Sequence, residues 1–150
     1  MSADRRIGEL CKAAGLISEA QLVDALEQQE RSGARLGEVL VSNGLVGELV
    51  LTQMLSKQLS VAWVSLPHVE FTDELLMLVP AEVARQYTLI PVYFRIGEQK
   101  QKILYVAMDD PTNVAAMEHV SRVTGMNIRP MIAPPTEINR QIQLCYQTTA

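Results

Sequence analysis

The first 58 residues contain the same 24-residue pattern twice, and this repeat limits the folds that the chain can adopt. Residues 6–29 and 35–58 align at an offset of 29, and nine of their 24 columns are identical. Other columns, such as Ile7 and Leu36, exchange one apolar residue for another. A repeat of this length is one supersecondary unit whose apolar face must be covered by a neighbour. The two copies are therefore expected to pack on each other.

Each copy reads as two helices joined at a glycine. Apolar residues of the first helix follow the i, i+3, i+4, i+7 spacing of one face, at Ile7, Leu10, Cys11 and Ala14. Gly15, and Gly44 in the second copy, follow that face where a left-handed residue ends a helix at little steric cost. Ser18 and Gln21 have the spacing of a capping box, so the next helix should begin there. The pattern predicts a four-helix unit over residues 1–59, built from a duplicated helical hairpin.

After residue 59 the pattern changes to short strands mixed with helices. The clearest element is a β-hairpin, with strands at 89–96 and 102–108. The other predicted elements are strands at 61–66 and 127–132 and helices at 72–78, 80–86, 113–123 and from 134 to about 146. This order predicts an α+β fold, in which the four-helix unit is followed by a small α/β unit, residues 60–150, with a mixed or antiparallel sheet.

Charge and apolar content exclude several classes of function. Thirteen basic and 17 acidic residues give a net charge of −4. This charge disfavours unspecific binding to long nucleic acid or to anionic lipid, and no helix is basic enough for DNA recognition. The apolar runs are too short to span a bilayer, and the N-terminus lacks the apolar core of a secretory signal. Cys11 and Cys145 have no metal-binding or redox spacing and are expected to be reduced, so we expect a cytoplasmic protein.

Two of the identical columns have no evident packing role. Arg6 and Arg35 begin the copies, and Gln29 and Gln58 end them. The planar fork of an arginine suits bidentate contact with phosphate or with the O6/N7 edge of guanine. A glycine lies two residues after each arginine, where a missing side chain would let a ligand approach the backbone. Two interpretations are open at this point: a structural hairpin with solvated arginines, or a ligand-binding site.

The whole pattern resembles the MshEN domain, the cyclic-di-GMP-binding N-terminal domain of type II secretion and type IV pilus assembly ATPases. The resemblance rests on R-L-G-x-x-L-L-x-x-G-L-L-x-x-x-x-L-x-x-x-L-x-x-Q, repeated after the five-residue spacer 30–34. It continues through Leu78-Val79-Pro80, Ile90-Pro91-Val92, the segment 106–111 and the closing Tyr146. It implies a cyclic-di-GMP-binding regulatory module of a secretion or pilus assembly ATPase system, which binds one ligand across its two motifs.

The resemblance implies a role for each matching position. Arg6 and Arg35 would contact the guanine bases or phosphates, and Gln29 and Gln58 would hydrogen-bond the ligand or fix the arginines. The positions that would lie against the bases are Ile7, Gly8, Leu36 and Gly37. The positions that would complete the apolar walls are Cys11, Gly15, Leu16, Leu40, Val41, Gly44 and Leu45. The positions that would support these walls are Leu22, Leu26, Leu51 and Leu55.

The first copy departs from this pattern at two positions. Cys11 and Lys12 stand where the second copy has Leu40 and Val41. Lys12 either extends to add a positive charge toward a phosphate or interrupts an apolar wall. The second half-site is therefore expected to be the better one.

Other candidate sites carry weak signals. His68 and His119 lack ligand spacing to either cysteine, so neither a metal nor a cofactor is expected. The segment DDPT at 109–112 is typical of a turn rather than of paired catalytic carboxylates. The motif GxxxxGK[ST] does not occur, so this chain is not expected to be the ATPase itself. With no other strong catalytic signal, we do not expect an enzyme.

The resemblance also implies partners. These are cyclic-di-GMP, the ATPase motor and inner-membrane platform proteins, through which a cytoplasmic module would lie at the inner membrane without inserting into it. No DNA partner is expected. The alternative is a protein-docking module of the same secretion or pilus machine that does not bind nucleotide.

Overall fold

The computed structural model describes the backbone of residues 3–146 and the side chains of residues 6–146. Helices come first in the chain, and a mixed sheet with further helices follows, so the predicted α+β fold is confirmed. The chain divides between Ser60 and Val61 into two compact units, each described below by itself.

The first unit consists of four helices, as the repeat predicts. These are α1 (Ala3–Ala13), α2 (Glu19–Ser32), α3 (Leu36–Ser42) and α4 (Glu48–Leu59). Gly15 and Gly44 follow α1 and α3 with φ of 77° and 71°, a left-handed conformation that is unfavourable for residues with a side chain. Ser18 caps α2 reciprocally: its Oγ accepts from the Gln21 amide at 3.1 Å, and its own amide donates to Gln21 Oε1 at 2.8 Å. Both predicted signals therefore set the helix ends.

The core of the first unit comes from the repeated apolar columns. Helix α1 packs against each of α2, α3 and α4. The side chains buried most completely there are Cys11, Leu22, Ala25, Leu36, Leu40 and Leu55. One hairpin alone could not enclose this set, so the duplication itself builds the core.

The second unit combines helices with a three-stranded sheet. Its helices are α5 (Asp73–Leu76), α6 (Ala81–Tyr87), α7 (Val114–Thr124) and α8 (Pro135–Cys145). Its strands are β1 (Leu89–Ile96), β2 (Lys102–Met108) and β3 (Asn127–Ile132), in the order β1-β2-β3. Strands β1 and β2 form the predicted antiparallel hairpin, whereas β2 and β3 are parallel and joined through α7. The sheet is therefore mixed, one of the two forms that the sequence predicts.

The strand predicted at 61–66 is reduced to a single bridge. Val64 N donates to the carbonyl of Ile132 at 2.9 Å, and Ile132 N donates to the carbonyl of Ala62 at 2.9 Å, which places Trp63 parallel to the end of β3. The chain then turns into a 3₁₀ turn at Leu66–His68. Pro67 has no amide proton for a strand ladder and fixes φ, so the extended segment ends where the proline enters the turn.

The end of α8 is anchored inside the second unit. The Tyr146 hydroxyl lies 3.0 Å from the carbonyl oxygen of Val79 and 3.1 Å from that of Leu76. Burial raises the pKa of this hydroxyl above its ordinary value, and the nearby Cys145 adds to the effect. Within residues 3–146, no helix is long and apolar enough to cross a membrane.

Candidate functional site

The two repeated arginines begin the copies in different local structures. Arg6 lies within α1, which starts at Ala3, and is exposed. Arg35 is the residue before α3, with φ −74° and ψ 148°, and is half-buried. The copies are therefore equivalent in sequence, but their arginines leave the backbone in a helical and in an extended conformation.

The two repeated glutamines lie at the ends of the second helices of each hairpin. Gln29 is half-buried in α2, and its carbonyl accepts from the Gly33 amide at 2.9 Å as the helix ends. Gln58 is exposed near the end of α4. The columns for which the sequence offers no packing role thus remain at or near the surface.

Of the two glycines that follow the repeated arginines, only Gly8 makes room for leucines. A Cβ built on Gly8 would overlap Cδ1 of Leu22 and would lie 2.9 Å from Cδ2 of Leu36. A Cβ on Gly37 would lie 3.5 Å from Cδ2 of Leu51, which is an ordinary contact. Each glycine thus faces the leucine of the same column in its own copy. Helix packing explains the glycine at position 8 without a ligand, which the sequence alone did not reveal.

The predicted apolar site residues divide into a buried and an accessible group. The buried group, which forms the core, is Ile7, Cys11, Leu22, Leu36, Leu40, Leu51 and Leu55. The exposed or half-buried group is Gly15, Leu16, Leu26, Gly37, Val41, Gly44 and Leu45. Only the second group reaches the surface of this fold, so the first would act on a ligand by supporting its neighbours. Burial raises the pKa of the Cys11 thiol to about 11, and it therefore packs as a neutral group at neutral pH.

Lys12 pairs with two glutamates of its own copy. Its ammonium group lies at the surface, bonded to a Glu19 carboxylate oxygen and 3.8 Å from Glu9 Oε2. The hydrogen bond to Glu19 and the charges of both glutamates raise the pKa of Lys12. The lysine thus links the end of α1 to the start of α2 without entering the core. Val41, at the same column of the second copy, is half-buried.

An acidic cleft of about 230 Å³ opens on the first hairpin. Its lining residues are Glu9, Glu19, Leu22, Val23, Leu26, Glu27 and Glu30. Lys12 pairs with Glu9 and Glu19, so the four carboxylates beside Leu26 leave a net negative charge that opposes the approach of a phosphate to this side of the hairpin. At the repeat offset of 29, Ser56 and Leu59 stand where the first hairpin has Glu27 and Glu30, so the second hairpin carries less negative charge at these positions.

A second cleft, of about 390 Å³, lies between the end of α2 and helix α3. Its lining residues are Gln28, Arg31, Ser32, Ala34, Glu38, Val39, Ser42 and Asn43. Asn43 Nδ2 donates to Gln28 Oε1 at 2.9 Å within it. Sequence reasoning missed this cleft, although polar residues around the spacer were a signal. Neither cleft includes Arg6 or Arg35.

Two of the weak candidates in the second unit, Asp110 and His119, form hydrogen bonds within that unit. Asp110 is buried, and its Oδ1 accepts from Thr112 N at 2.9 Å and from Thr112 Oγ1 at 2.5 Å, which is a turn before α7. His119 Nδ1 lies 2.9 Å from the Tyr87 hydroxyl. No group of three or more histidine, cysteine or acidic side chains suited to a metal occurs among the residues that the structure describes.

Comparison with protein families gives a match to the MshEN domain over residues 59–150. The match begins where the repeat ends. The chain is 38% identical over 141 residues to the type IV pilus assembly ATPase PilB of Myxococcus xanthus, covering 94% of this chain and 24% of PilB. It is 32% identical over 127 residues to PilB of Thermus thermophilus, covering 85% of this chain and 14% of that protein. The chain thus spans a quarter or less of the length of these relatives.

Two solved structures share the fold over nearly the whole chain. The structure of MshE with cdg, an abbreviation of cyclic-di-GMP, has a TM-score of 0.70 at 28% identity and covers 92% of this chain and 96% of its own. The N-terminal domain of XpsE has a TM-score of 0.72 at 23% identity and covers 95% of each chain, which shows the shared fold alone. Unlike the family match, both similarities extend into the repeat.

Proposed function

Because the chain belongs to the MshEN domain family, we propose that it binds cyclic-di-GMP across its two 24-residue motifs and is a regulatory module of a secretion or pilus assembly ATPase system. The observation that carries this proposal is which of the repeated columns are buried and which lie near the surface. The repeated leucines Leu22, Leu51 and Leu55 are buried, whereas the repeated arginines and glutamines lie at or near the surface. Polar columns that a core does not require are thus accessible to a ligand.

The chemistry of the accessible residues suits a cyclic dinucleotide. Arginine forks match phosphate oxygens or the O6/N7 edge of guanine, and glutamine amides both donate and accept. Half-buried apolar side chains at Leu16, Leu26, Val41 and Leu45 supply surface against which bases can lie. A ligand with two equivalent guanylyl halves fits a protein with two copies of this set.

The two half-sites differ in charge, and the second is proposed to bind more strongly. The first copy has an acidic cleft beside Leu26, and its Lys12 is engaged by Glu9 and Glu19. The second copy has the apolar Val41 in place of the lysine and lacks two of the four glutamates. Fewer carboxylates leave the phosphates of the ligand less strongly repelled.

Titration calorimetry of the 150-residue chain with cyclic-di-GMP tests the proposal. We expect saturable heat at tens of micromolar ligand or below. Loss of a charged hydrogen-bonding partner in Arg35→Ala should weaken binding by about 10- to 100-fold, since such bonds contribute roughly 1.5–3 kcal/mol. Arg140→Ala, which removes an exposed arginine from α8 in the second unit, is the matched control and should bind as the unchanged chain does. No heat and no thermal shift at tens of micromolar ligand would refute the proposal.

One observation favours the alternative, a protein-docking module that binds no nucleotide. The family match lies wholly within residues 59–150, outside the repeat. Under this alternative, the second unit would bind the ATPase motor or an inner-membrane platform protein in the cytoplasm. A pull-down in which Arg35→Ala retains such a partner, together with a failed cyclic-di-GMP titration of the unchanged chain, would favour it. Ligand-dependent capture of the partner would instead favour the sensor.

A further inference from the structure

The outer edge of β1 has no neighbouring strand among the residues that the structure describes. β1 pairs only with β2, and Gly97 N donates to the Gln101 carbonyl at 2.8 Å where the hairpin closes. Antiparallel pairs alternate between bonded and non-bonded positions. Counting back from Gly97, the N–H and C=O groups of Ile96 and Phe94 point away from β2. Two donors and two acceptors are therefore directed to the open edge.

This edge is apolar at its outer half. Strand β1 is buried from Leu89 to Val92 and exposed from Tyr93 to Ile96. Phe94 is 37% exposed and Ile96 60%, although both are large apolar side chains. Proteins usually protect open sheet edges with charges, prolines or a covering element, because an open apolar edge is a template for a further strand. Here the strand carries a single charge, Arg95, which is engaged with Tyr105 through a 3.2 Å Nε–Oη hydrogen bond, and its one proline, Pro91, lies in the buried half.

A groove of about 400 Å³ runs beside the same part of β1. It is lined by Glu70, Thr72, Glu74, Leu75, Leu78, Val92, Tyr93 and Phe94. Its apolar surface comes from buried or half-buried leucines and valine, and its exposed carboxylates are Glu70 and Glu74. Neither carboxylate forms a salt bridge with any residue that the structure describes. The groove thus combines an apolar floor with uncompensated negative charge.

We propose that this edge and groove bind one extended segment of a protein partner, in which lysine or arginine alternates with apolar residues. The segment would add a strand to β1 through the outward groups of Phe94 and Ile96, as in recognition by strand addition. Successive side chains of a strand point to opposite faces, so apolar residues would fill the groove at every second position. Basic residues near the rim would meet Glu70 and Glu74. The site lies in the second unit and does not depend on nucleotide binding.

Charge decides between this occupant and a second copy of the chain. If two β1 strands paired antiparallel with Phe94 opposite Ile96, the Arg95 side chains of the two copies would lie opposite each other. Like charges in directly opposed positions destabilise a strand pair. A basic segment instead supplies positive charges that can pair with Glu70 and Glu74. The chain is also acidic overall, which favours a basic partner segment over a copy of itself.

Amide chemical shifts of the isotope-labelled 150-residue chain test the site. The probe is a capped seven-residue peptide that alternates valine with lysine, and the control peptide has glutamate in place of lysine. We expect saturable shifts at the amides of Phe94 and Ile96 with the lysine peptide and at least tenfold weaker binding of the glutamate peptide. Equal binding of the two peptides, no binding of the lysine peptide, or shifts confined to other residues would overturn the proposal.

Two sets of variants separate the strand edge from the carboxylates. Ile96→Pro removes an outward donor at an edge position where proline is tolerated and should abolish binding, whereas Ile96→Val keeps the donor and should bind normally. The double variant Glu70→Gln/Glu74→Gln alters only exposed side chains and should weaken the lysine peptide by about 3- to 10-fold, as expected for two surface ion pairs. Unchanged affinity in this double variant would contradict the charge argument. Concentration-dependent shifts at Phe94 and Ile96 without peptide would identify a second copy as the occupant and overturn the proposal.

Discussion

The paired glycines of the repeat give opposite predictions for the same substitution. At Gly8, an added methyl group overlaps Leu22 and lies 2.9 Å from Leu36, and both leucines are almost completely buried. Overpacking of a tight core costs about 1–3 kcal/mol, whereas alanine in a helix gains about 1 kcal/mol over glycine. Gly8→Ala should therefore lower the free energy of unfolding by about 1 kcal/mol. At Gly37 the nearest atom lies 3.5 Å from the added methyl group, so the higher helix propensity of alanine is not offset by overpacking. Gly37→Ala should therefore raise the free energy of unfolding by up to about 1 kcal/mol.

Urea unfolding followed by circular dichroism measures this difference. Trp63 is the only tryptophan of the chain and belongs to the second unit, so its fluorescence serves as an internal control. We expect the midpoint of the helical signal to move down for Gly8→Ala and up for Gly37→Ala, with a smaller change in fluorescence. If both substitutions stabilise the chain, or both destabilise it equally, Gly8 does not have the packing role that the structure gives it.

Two further predictions, for Ser18 and for Cys11, test how the first unit is held together. Ser18→Ala removes the reciprocal cap of α2 and should lower the free energy of unfolding by about 1 kcal/mol. Gly47→Ser, at the same column before α4, should change it by only a few tenths of a kcal/mol. Thermal and urea unfolding compare the two variants, and a change for Ser18→Ala as small as that for Gly47→Ser would show that the cap contributes nothing. For Cys11, burial raises the thiol pKa from 9.0 to about 11, so the folded state favours the neutral thiol. The stability that the neutral Cys11 thiol gives the folded state is fully present below about pH 9 and is lost as the pH rises toward 11. Urea unfolding across this range should show a decline that Cys11→Ala reduces, and an unchanged decline in that variant would contradict the assignment.

The sequence predicted the elements whose limits are set by local chemistry. The hairpin strands lie at the predicted residues because a turn between Gly97 and Gln101 fixes their register, and α2 begins where the Ser18 capping box places it. The strand predicted at 61–66 is too long, because the apolar run around Trp63 does not show how far a neighbouring strand extends.

For the candidate site, the sequence identified the repeated residues but not the side chains that they contact in the fold. The arginine and glutamine columns lie at or near the surface, as a ligand site requires, but nothing in the spacing showed that Gly8 faces Leu22. The ion pair of Lys12 with Glu19 depends on how α1 and α2 approach each other across the Gly15 turn. Such contacts between elements are fixed by packing, which a linear pattern does not encode.

The most direct test of the central proposal is an amide chemical-shift titration of the 150-residue chain with cyclic-di-GMP. The proposal predicts saturable shifts in both copies of the repeat, around Arg6 and Gln29 in the first and around Arg35 and Gln58 in the second. It further predicts that Arg35→Ala reduces the shifts in both copies, because one ligand would span them. An absence of shifts, or shifts confined to residues 61–146, would contradict a nucleotide site in the repeat.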